Sequence, residues 1–423
     1  MVNWGILGTG MIARALAVSM QDSRGSQLKA VASRSIEKAE KFSEKYGCSA
    51  LEGYENLFND IEIDAIYVAT PHDSHFDLTL AALKAKKSVL CEKPMTLNST
   101  EAMVLIEAAR ENDVLLMEAF MYRTHPQTDK IRELVKEEFK DIPITIEASF
   151  GFSAQVPEEH RLVNPELGGG SIMDIGCYPM SMSRMIVGHQ NGKPFSNPVA
   201  IEAKGELSSR GVDLNATAEL SFDNGSKALI SSAINKPLKN SVLITNEEKS
   251  IYVAEPWQCG EQNNRQSQII YKRKGREDEV IDFKEEKGVF TYEIDHFVSL
   301  LNQEKKQSEK ISHADSHGNM VWLDAWRKNI GVYYSADNPE NRKFSLLGET
   351  AIKDREPISS TTLSGLDKKV SRVVFGCDNQ SGTDHAFAMF DHFFSLGGNA
   401  FDTAYIYNNG KSDVYLGKWM NHR

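Results

Sequence analysis

Cysteine is scarce in this chain. Its 423 residues include five, Cys48, Cys91, Cys177, Cys259 and Cys377. They are far apart, odd in number and without a Cys-x-x-Cys pair. That argues against a disulfide framework and a structural zinc site, and for a reducing cytoplasm. Long apolar runs are missing too. No stretch approaches the roughly 18 apolar residues of a membrane span. The opening Met1-Val2-Asn3-Trp4 has no cation before its apolar run, so no secretory signal is expected. Positive charge is in deficit: Lys+Arg is 48 against 59 for Asp+Glu, a formal charge of −11. Such a surface is a poor partner for nucleic acid and is repelled by anionic membranes. Eleven histidines occur without a His-Glu-x-x-His motif. His313 and His317 have i, i+4 spacing but no evident third ligand, so no metal is expected.

What is present is an alternation of short strands and helices, in a chain long enough for about two to three domains. Val2 to Leu7 reads as a strand and Ile12 to Met20 as a helix. Between them stands Gly8-x-Gly10-x-x-Ala13, the dinucleotide fingerprint. Gly8 permits the turn, Gly10 lets the backbone approach a pyrophosphate, and Ala13 lets the helix pack closely. Met11 and Ile12 open that helix, whose free N–H groups face the phosphates. The next strand, Leu28 to Ala32, ends in Ser33-Arg34 rather than in an acid. Arg34 suits a 2′-phosphate, with Ser33 and Lys38 beside it, so NADP is expected over NAD, with NAD possible.

Further strands at Asp64 to Ala69, Ser88 to Cys91 and Val114 to Met117 alternate with helices at Ile36 to Tyr46, Asp73 to Lys86 and Thr100 to Glu111. This predicts an α/β Rossmann domain, a doubly wound parallel sheet. Ligands bind beyond the carboxyl ends of such strands. That rule selects Thr70-Pro71-His72-Asp73-Ser74-His75, Glu92-Lys93-Pro94 and the segment ending at Arg123. Proline restricts the residue before it, which aims Lys93 across the end of the sheet.

After Arg123 the period changes. Pro143 to Gly151 reads as a strand. Ala216, Ala218, Leu220 and Phe222 alternate with polar residues, and Asn224-Gly225 joins them to a return strand, Lys227 to Ala233. Ser241 to Thr245, Ser250 to Ala254 and Gln268 to Tyr271 add strands. Helices are expected at Phe290 to Leu301 and Met320 to Tyr334. This is an α+β domain with a large, mainly antiparallel open sheet.

In the order of these motifs the chain resembles the Gfo/Idh/MocA family, the glucose-fructose oxidoreductase and inositol dehydrogenase group. The matching elements are the glycine fingerprint, Pro71-x-x-x-His75, Glu92-Lys93-Pro94 and Gly168-Gly169-Gly170-Ser171-Ile172-Met173-Asp174-Ile175-Gly176-Cys177-Tyr178, over roughly residues 1 to 335. Ala32 to Arg34, Cys91 to Met95 and Met117 to Ala119 resemble the dihydrodiol and NADP-linked xylose dehydrogenase branch. The resemblance implies that Lys93 stands near the nicotinamide and the reacting hydroxyl. It gives Asp174 and Tyr178 catalytic positions. It sets Thr70, Pro71, His75, Glu92 and Arg123 about the cofactor, with Arg123 near the substrate cleft. It further implies a homodimer through the second-domain sheet and a sugar-like polyol or cyclic diol as substrate. Tyr178 is the expected acid/base, its pKa lowered by Lys93, and Asp174 the residue that orients Lys93. Lys93 as proton carrier stays open. So do an NAD-dependent glycoside hydrolase and a non-catalytic cofactor-binding regulator.

The expected boundaries are residues 1–123 for the NADP-binding domain, 124–335 for the substrate and dimerisation domain, 336–368 for a linker and 369–423 for a last segment. In that segment Val370 to Gly376 and Asn399 to Ala404 read as strands around a helix, Thr383 to Leu396. It resembles the opening of an aldo-keto reductase TIM barrel, with Asp402 and Tyr407 at that family's catalytic Asp and Tyr. About 55 residues cannot bury the core of a barrel, so this incomplete fragment is expected to be inactive. A truncated two-enzyme fusion or a vestigial segment would each account for it.

Overall fold

Apolar runs too short for a helix, punctuated by glycine and by capped helices, build the first layer. The computed structural model describes residues 1–140, 142–338, 341, 357–380 and 382–422. The chain divides into two compact units, residues 1–333 and 334–423. The first unit opens with β1 (Val2–Leu7), α1 (Met11–Met20), β2 (Ser26–Ser33), α2 (Ile36–Tyr46), β3 (Ser49–Glu52) and α3 (Glu55–Asn59). It continues with β4 (Ala65–Val68), α4 (His75–Lys84), β5 (Ser88–Glu92), α5 (Ser99–Glu111) and β6 (Leu116–Ala119). The strands lie in the order β3-β2-β1-β4-β5-β6, all neighbours parallel. Every residue of β4, β5 and β6 is buried, as a sheet covered on both faces requires. The order reverses between β1 and β4, which opens a crevice at their carboxyl ends.

Caps fix the helix starts. Ser35 accepts the Lys38 N–H at the head of α2, and Asn98 accepts the Glu101 N–H at the head of α5. The head of α1 is different: Gly10 is its N-cap and offers no side chain. Among the described residues no side chain caps its first N–H groups, which face a ligand instead.

The second layer begins with α6 (Pro126–Glu138), which sequence periodicity did not reveal, and β7 (Thr145–Gly151). A π-turn at Ile172–Gly176 leads into α7 (Cys177–Gln190). There follow β8 (Ala200–Leu207), β9 (Asp213–Ser221), β10 (Lys227–Ala233), β11 (Ser241–Thr245), β12 (Lys249–Ala254), β13 (Gln266–Arg273) and β14 (Glu279–Lys284). The sheet order is β14-β13-β12-β11-β7-β10-β9-β8, antiparallel except for the β7–β10 pair. Asn224-Gly225 turns the β9–β10 hairpin with Leu220 opposite Ala228. Two helices, α8 (Val289–Asn302) and α9 (His313–Asn329), return to the first layer, α8 against α1 and α9 against α5. The second starts seven residues before the expected Met320, because Ser312 caps it by accepting the Asp315 N–H.

Arg123 is a correction. It was expected near the substrate cleft, among the cofactor-binding residues. Its side chain is 1% exposed and its guanidinium is spent inside the protein. Nη2 donates to Asp315 Oδ2 at 2.7 Å and to the Lys310 carbonyl at 2.6 Å, and Nη1 to Ser181 Oγ at 2.8 Å. The other Asp315 oxygen accepts from Arg184 Nη1 at 2.7 Å. One carboxylate on α9 thus pins the β6 exit and α7 together.

The second unit is described by itself. Its strands are β15 (Ser360–Thr362), β16 (Lys369–Ser371), β17 (Phe375–Gly376) and β18 (Phe401–Asp402), and its helices α10 (Thr383–Ser395) and α11 (Lys411–His422). The expected strand at Val370 to Gly376 is split: β16 pairs antiparallel with β15, inside the expected linker, and β17 pairs parallel with β18. Phe375, Phe387, Phe390, Phe401 and Trp419 make its core. The expected linker residues 339–340 and 342–356 lie outside the described residues.

Asp315→Ala leaves two buried arginines without their anion. We expect a loss of about 3–5 kcal/mol, read as a lower urea midpoint, where Asp113→Ala at the surface costs under about 1 kcal/mol.

Candidate active site

The crevice at the ends of β1 and β4 is shaped for a ligand with phosphates. Gly8 has φ +100°, and a Cβ there would stand 2.8 Å from the Ala69 carbonyl oxygen. That glycine is needed to bring the two strand ends together. Gly10 is the opposite case. Its φ is −68° and a Cβ would meet nothing within 4 Å. The open space above it, at an uncapped helix head with no acidic residue in its first turn, fits a pyrophosphate. Met11 is 84% exposed and Ile12 half-buried beside it. At the end of β2, Ser33 is buried and its Oγ accepts the Ser35 N–H, while Arg34 and Lys38 are exposed. Two exposed cations at a helix start, Arg34 beside the Tyr54 hydroxyl, suit a 2′-phosphate. Thr70 and Pro71, half-buried, form the facing rim.

Lys93 follows β5 directly, and its bond to Pro94 is cis. Its Nζ donates to the backbone carbonyl of Asp174 at 2.6 Å and lies 5.3 Å from the centre of the Tyr178 ring. Residues 81 and 85 positions apart, from two layers, therefore meet in one place. Three glycines make the approach possible. Gly170 has φ +117°, and a Cβ there would stand 2.3 Å from Asp213 Oδ1. Asp213 Oδ2 accepts from Ser171 Oγ and from the Ile172 N–H, each at 2.7 Å, which fixes the start of the π-turn. Asp174 thus lies within that turn and Tyr178 in the first turn of α7, rather than the two sharing one α-helical face.

Electrostatics set the protonation states. Burial pushes the Asp174 carboxyl up, but Lys93, Arg161 and His72 outweigh it and hold the group below the usual carboxylate range. Tyr178 goes the other way. Burial raises its phenol well above the ordinary value, and Cys177, Glu92, Asp174 and Glu293 add to that. The expected lowering by Lys93 is absent in this state: the ammonium lies over the ring, and the hydroxyl's only hydrogen bond among the described residues is a weak one to Met121 Sδ at 3.5 Å. Phe120, Phe150 and Trp257 surround Tyr178 with ring centres 5.3–5.8 Å away and form an apolar wall.

Two further expectations need correcting. His75 was expected beside the cofactor, but it is 0% exposed. Its Nδ1 and Nε2 face the Pro94 and Thr70 carbonyls, each at 2.9 Å, so it ties two loops together from behind. Glu92 was expected at the cofactor, but its carboxylate turns inward. It accepts from the Tyr67 hydroxyl and, at 3.2 Å, from the Lys93 N–H. Arg161 was missed. Its Nη1 donates to Asp174 Oδ1 at 2.8 Å, and its side chain is 43% exposed. It stands in an irregular loop, where no periodicity marks a functional residue. His72 was passed over within a named motif. Its Nδ1 lies 3.0 Å from the Gly168 carbonyl, beside the glycine turn.

A glycine-cradled crevice with an ammonium, a carboxylate and a phenol at its floor defines a dinucleotide-dependent oxidoreductase. Residues 2–120 match the oxidoreductase family with an NAD-binding Rossmann fold, and residues 128–252 match the GFO/IDH/MocA C-terminal domain. The chain belongs to this family. It is 32% identical to the trans-1,2-dihydrobenzene-1,2-diol dehydrogenase of Xenopus tropicalis, over 78% of this chain and 98% of that protein. It is 32% identical to an NADP(+) D-xylose 1-dehydrogenase of Haloferax volcanii, over 55% of this chain and 70% of that protein. A 3-ketoreductase of Actinomadura kijaniata, solved with NADP and TDP-benzene, shares the fold with a TM-score of 0.69 at 24% identity, covering 79% of this chain and 99% of its own.

Gly10→Val tests the cradle. The side chain enters open space, so the melting temperature should move by under about 2 °C, as for a surface change. NADP affinity, read by fluorescence titration, should fall at least about tenfold, a cost of about 1.4 kcal/mol.

His75 predicts a pH dependence. The two carbonyls favour the imidazolium, but complete burial outweighs them and holds the pKa down to about 4. The unfolded chain then binds more protons than the native one below about pH 6.5, so stability falls as pH drops from 6.5 toward 4. The slope from this group approaches about 1.4 kcal/mol per pH unit. Urea midpoints from pH 7 to 4.5 should decline less steeply in His75→Gln than in wild type.

Proposed function

We propose that this protein transfers a hydride between NADP and the hydroxyl-bearing or carbonyl carbon of a sugar-like polyol or cyclic diol. The observation that carries this reading is the Lys93 ammonium, bonded to the Asp174 backbone and 5.3 Å from the Tyr178 ring centre at the carboxyl edge of the parallel sheet. The relatives named for dihydrodiol and xylose oxidation support the substrate class.

Gly8, Gly10, Met11 and Ile12 would hold the pyrophosphate. Ser33, Arg34 and Lys38 would hold a 2′-phosphate, which favours NADP over NAD. The nicotinamide, when bound, supplies the hydride acceptor or donor. Lys93 Nζ has one donor engaged by Asp174 and two left for the reacting oxygen, where a cation stabilises developing negative charge. Tyr178 keeps its proton in the apolar pocket, so Oη is ready to donate when a carbonyl is reduced. In the reverse direction the phenol would first have to lose its proton, which the positive charges of Lys93 and of an oxidised nicotinamide would favour, and the phenolate would then take the proton of the substrate hydroxyl. The Asp174 carboxylate, adjacent to Lys93, accepts a substrate hydroxyl.

The finer readings belong here as well. Homodimerisation through the outer face of the eight-stranded sheet is supported by Leu229 and Val280, which are exposed on it. The second unit is read as an aldo-keto reductase-like fragment, and Tyr407 donating to Asp402 Oδ2 at 3.4 Å suits that resemblance.

The test is a panel of aldoses, polyols and cyclic diols, followed by absorbance of the reduced cofactor with NADP and NAD in parallel. Turnover of at least one class with NADP is expected. Lys93→Ala should keep NADP affinity within about threefold and lose at least about 100-fold in kcat. No turnover across the panel, or an unchanged kcat in Lys93→Ala, would overturn the reading.

A further inference from the structure

The backbone that carries Lys93 is held by side chains that take no part in the chemistry. Lys93 N–H donates to Glu92 Oε2 at 3.2 Å, a contact between neighbours in the chain. The Pro94 carbonyl lies 2.9 Å from His75 Nδ1, and the Met95 carbonyl accepts a weak bond from Cys91 Sγ at 3.6 Å. The Met95 N–H is held from another strand. It donates at 3.0 Å to Oε1 of Glu118 on β6. Glu118 stands opposite Cys91 in the β5–β6 pair, beside the place where the chain leaves β5.

Glu118 is 1% exposed. Ser316, Asp315 and Arg123 face its carboxyl, while Oε2 closes no hydrogen bond among the described residues. Asp315 is the residue that clamps Arg123 and Arg184. Glu118 therefore stands between that clamp and the Lys93 segment. The frame fixed by α9 reaches Met95 through one side chain, two positions from Lys93.

We propose that Glu118 is a positioning residue for Lys93: the reach of its side chain sets where the segment leaving β5 stands, and so keeps the ammonium at the Asp174 carbonyl and at the reacting oxygen. The tolerance is small. Lys93 Nζ meets that carbonyl at 2.6 Å, and a retreat of about 1 Å breaks the bond. A displacement of that size costs a reaction up to about 100-fold in rate. The inference rests on the proposed hydride chemistry in taking Lys93 as the group that meets the reacting oxygen.

Two variants of the full chain separate reach from charge. Glu118→Gln keeps the length and an acceptor oxygen for the Met95 N–H but removes the charge. Glu118→Asp keeps the charge but withdraws the oxygen by one methylene. Turnover is followed with NADP and the best substrate of the panel. Glu118→Asp should lose at least about tenfold in kcat, with KM and NADP affinity within about threefold of wild type. Glu118→Gln should stay within about threefold in all three. A role of the carboxylate charge predicts the opposite order. A merely structural role predicts that kcat, KM and NADP affinity worsen together.

Hydrogen exchange read by mass spectrometry needs no substrate. Exchange at residues 93–97 should quicken at least about threefold in Glu118→Asp and keep the wild-type rate in Glu118→Gln. An unchanged kcat in Glu118→Asp, an equal fall in both variants, or unchanged exchange in Glu118→Asp would overturn the positioning role. Quickened exchange in a protein that turns over nothing in the panel would leave the hold on this segment standing and sink the hydride reading. Equal turnover by wild type and both variants would do the reverse.

Discussion

A single hydrogen bond joins the two layers at the point where chemistry is proposed. Lys93 Nζ leaves the end of a parallel strand and donates to the carbonyl of Asp174, which belongs to the turn above it. For that bond to form, the turn must come down onto the strand end, and side chains would prevent it. The three glycines, the Asp213 carboxylate that grips the turn and the His72 ring packed beside it all serve this approach. The Asp315 clamp, which keeps α7 against the β6 exit, maintains the same distance from further away.

That arrangement divides labour among groups of similar type. Carboxylates illustrate it. Asp174 is kept ionised by three neighbouring cations or imidazoles. Glu92 is pushed up by burial and serves as an acceptor for Tyr67 and the Lys93 backbone. Glu293 is fully buried without a hydrogen-bond partner among the described residues, and burial raises it well above the ordinary range. Asp315 neutralises two buried arginines. Desolvation is common to all four, and what differs is the charge standing next to each.

Much of this was legible from residue order. The strand, glycine turn and helix at the N-terminus, the alternation through β6 and the Asn224-Gly225 hairpin follow from local rules that the tertiary structure obeys. The motif residues Lys93, Asp174 and Tyr178 do converge, since each sits at the end of an element whose position the fold class dictates. Arg123, His75 and Glu92 read as ligand contacts because they too follow strand ends. Their partners are Asp315, two backbone carbonyls and Tyr67, and sequence order does not show that these lie nearby. Arg161 left no trace for the converse reason: an ion pair closed by an irregular loop has no period. The phenol of Tyr178 was assigned the wrong direction of shift because charge was counted and burial was not.

The turn that holds Asp174 and leads to Tyr178 has a consequence for how such a site can vary. A π-turn carries one residue more than the α-helix it interrupts. Deleting Ile175 or Gly176, the turn residues beyond Asp174, would let the helix run on regularly, and would rotate everything beyond by about 100° relative to what precedes it. The phenol would swing off the pocket while the carboxylate stayed. Length within this short segment is therefore more constrained than composition.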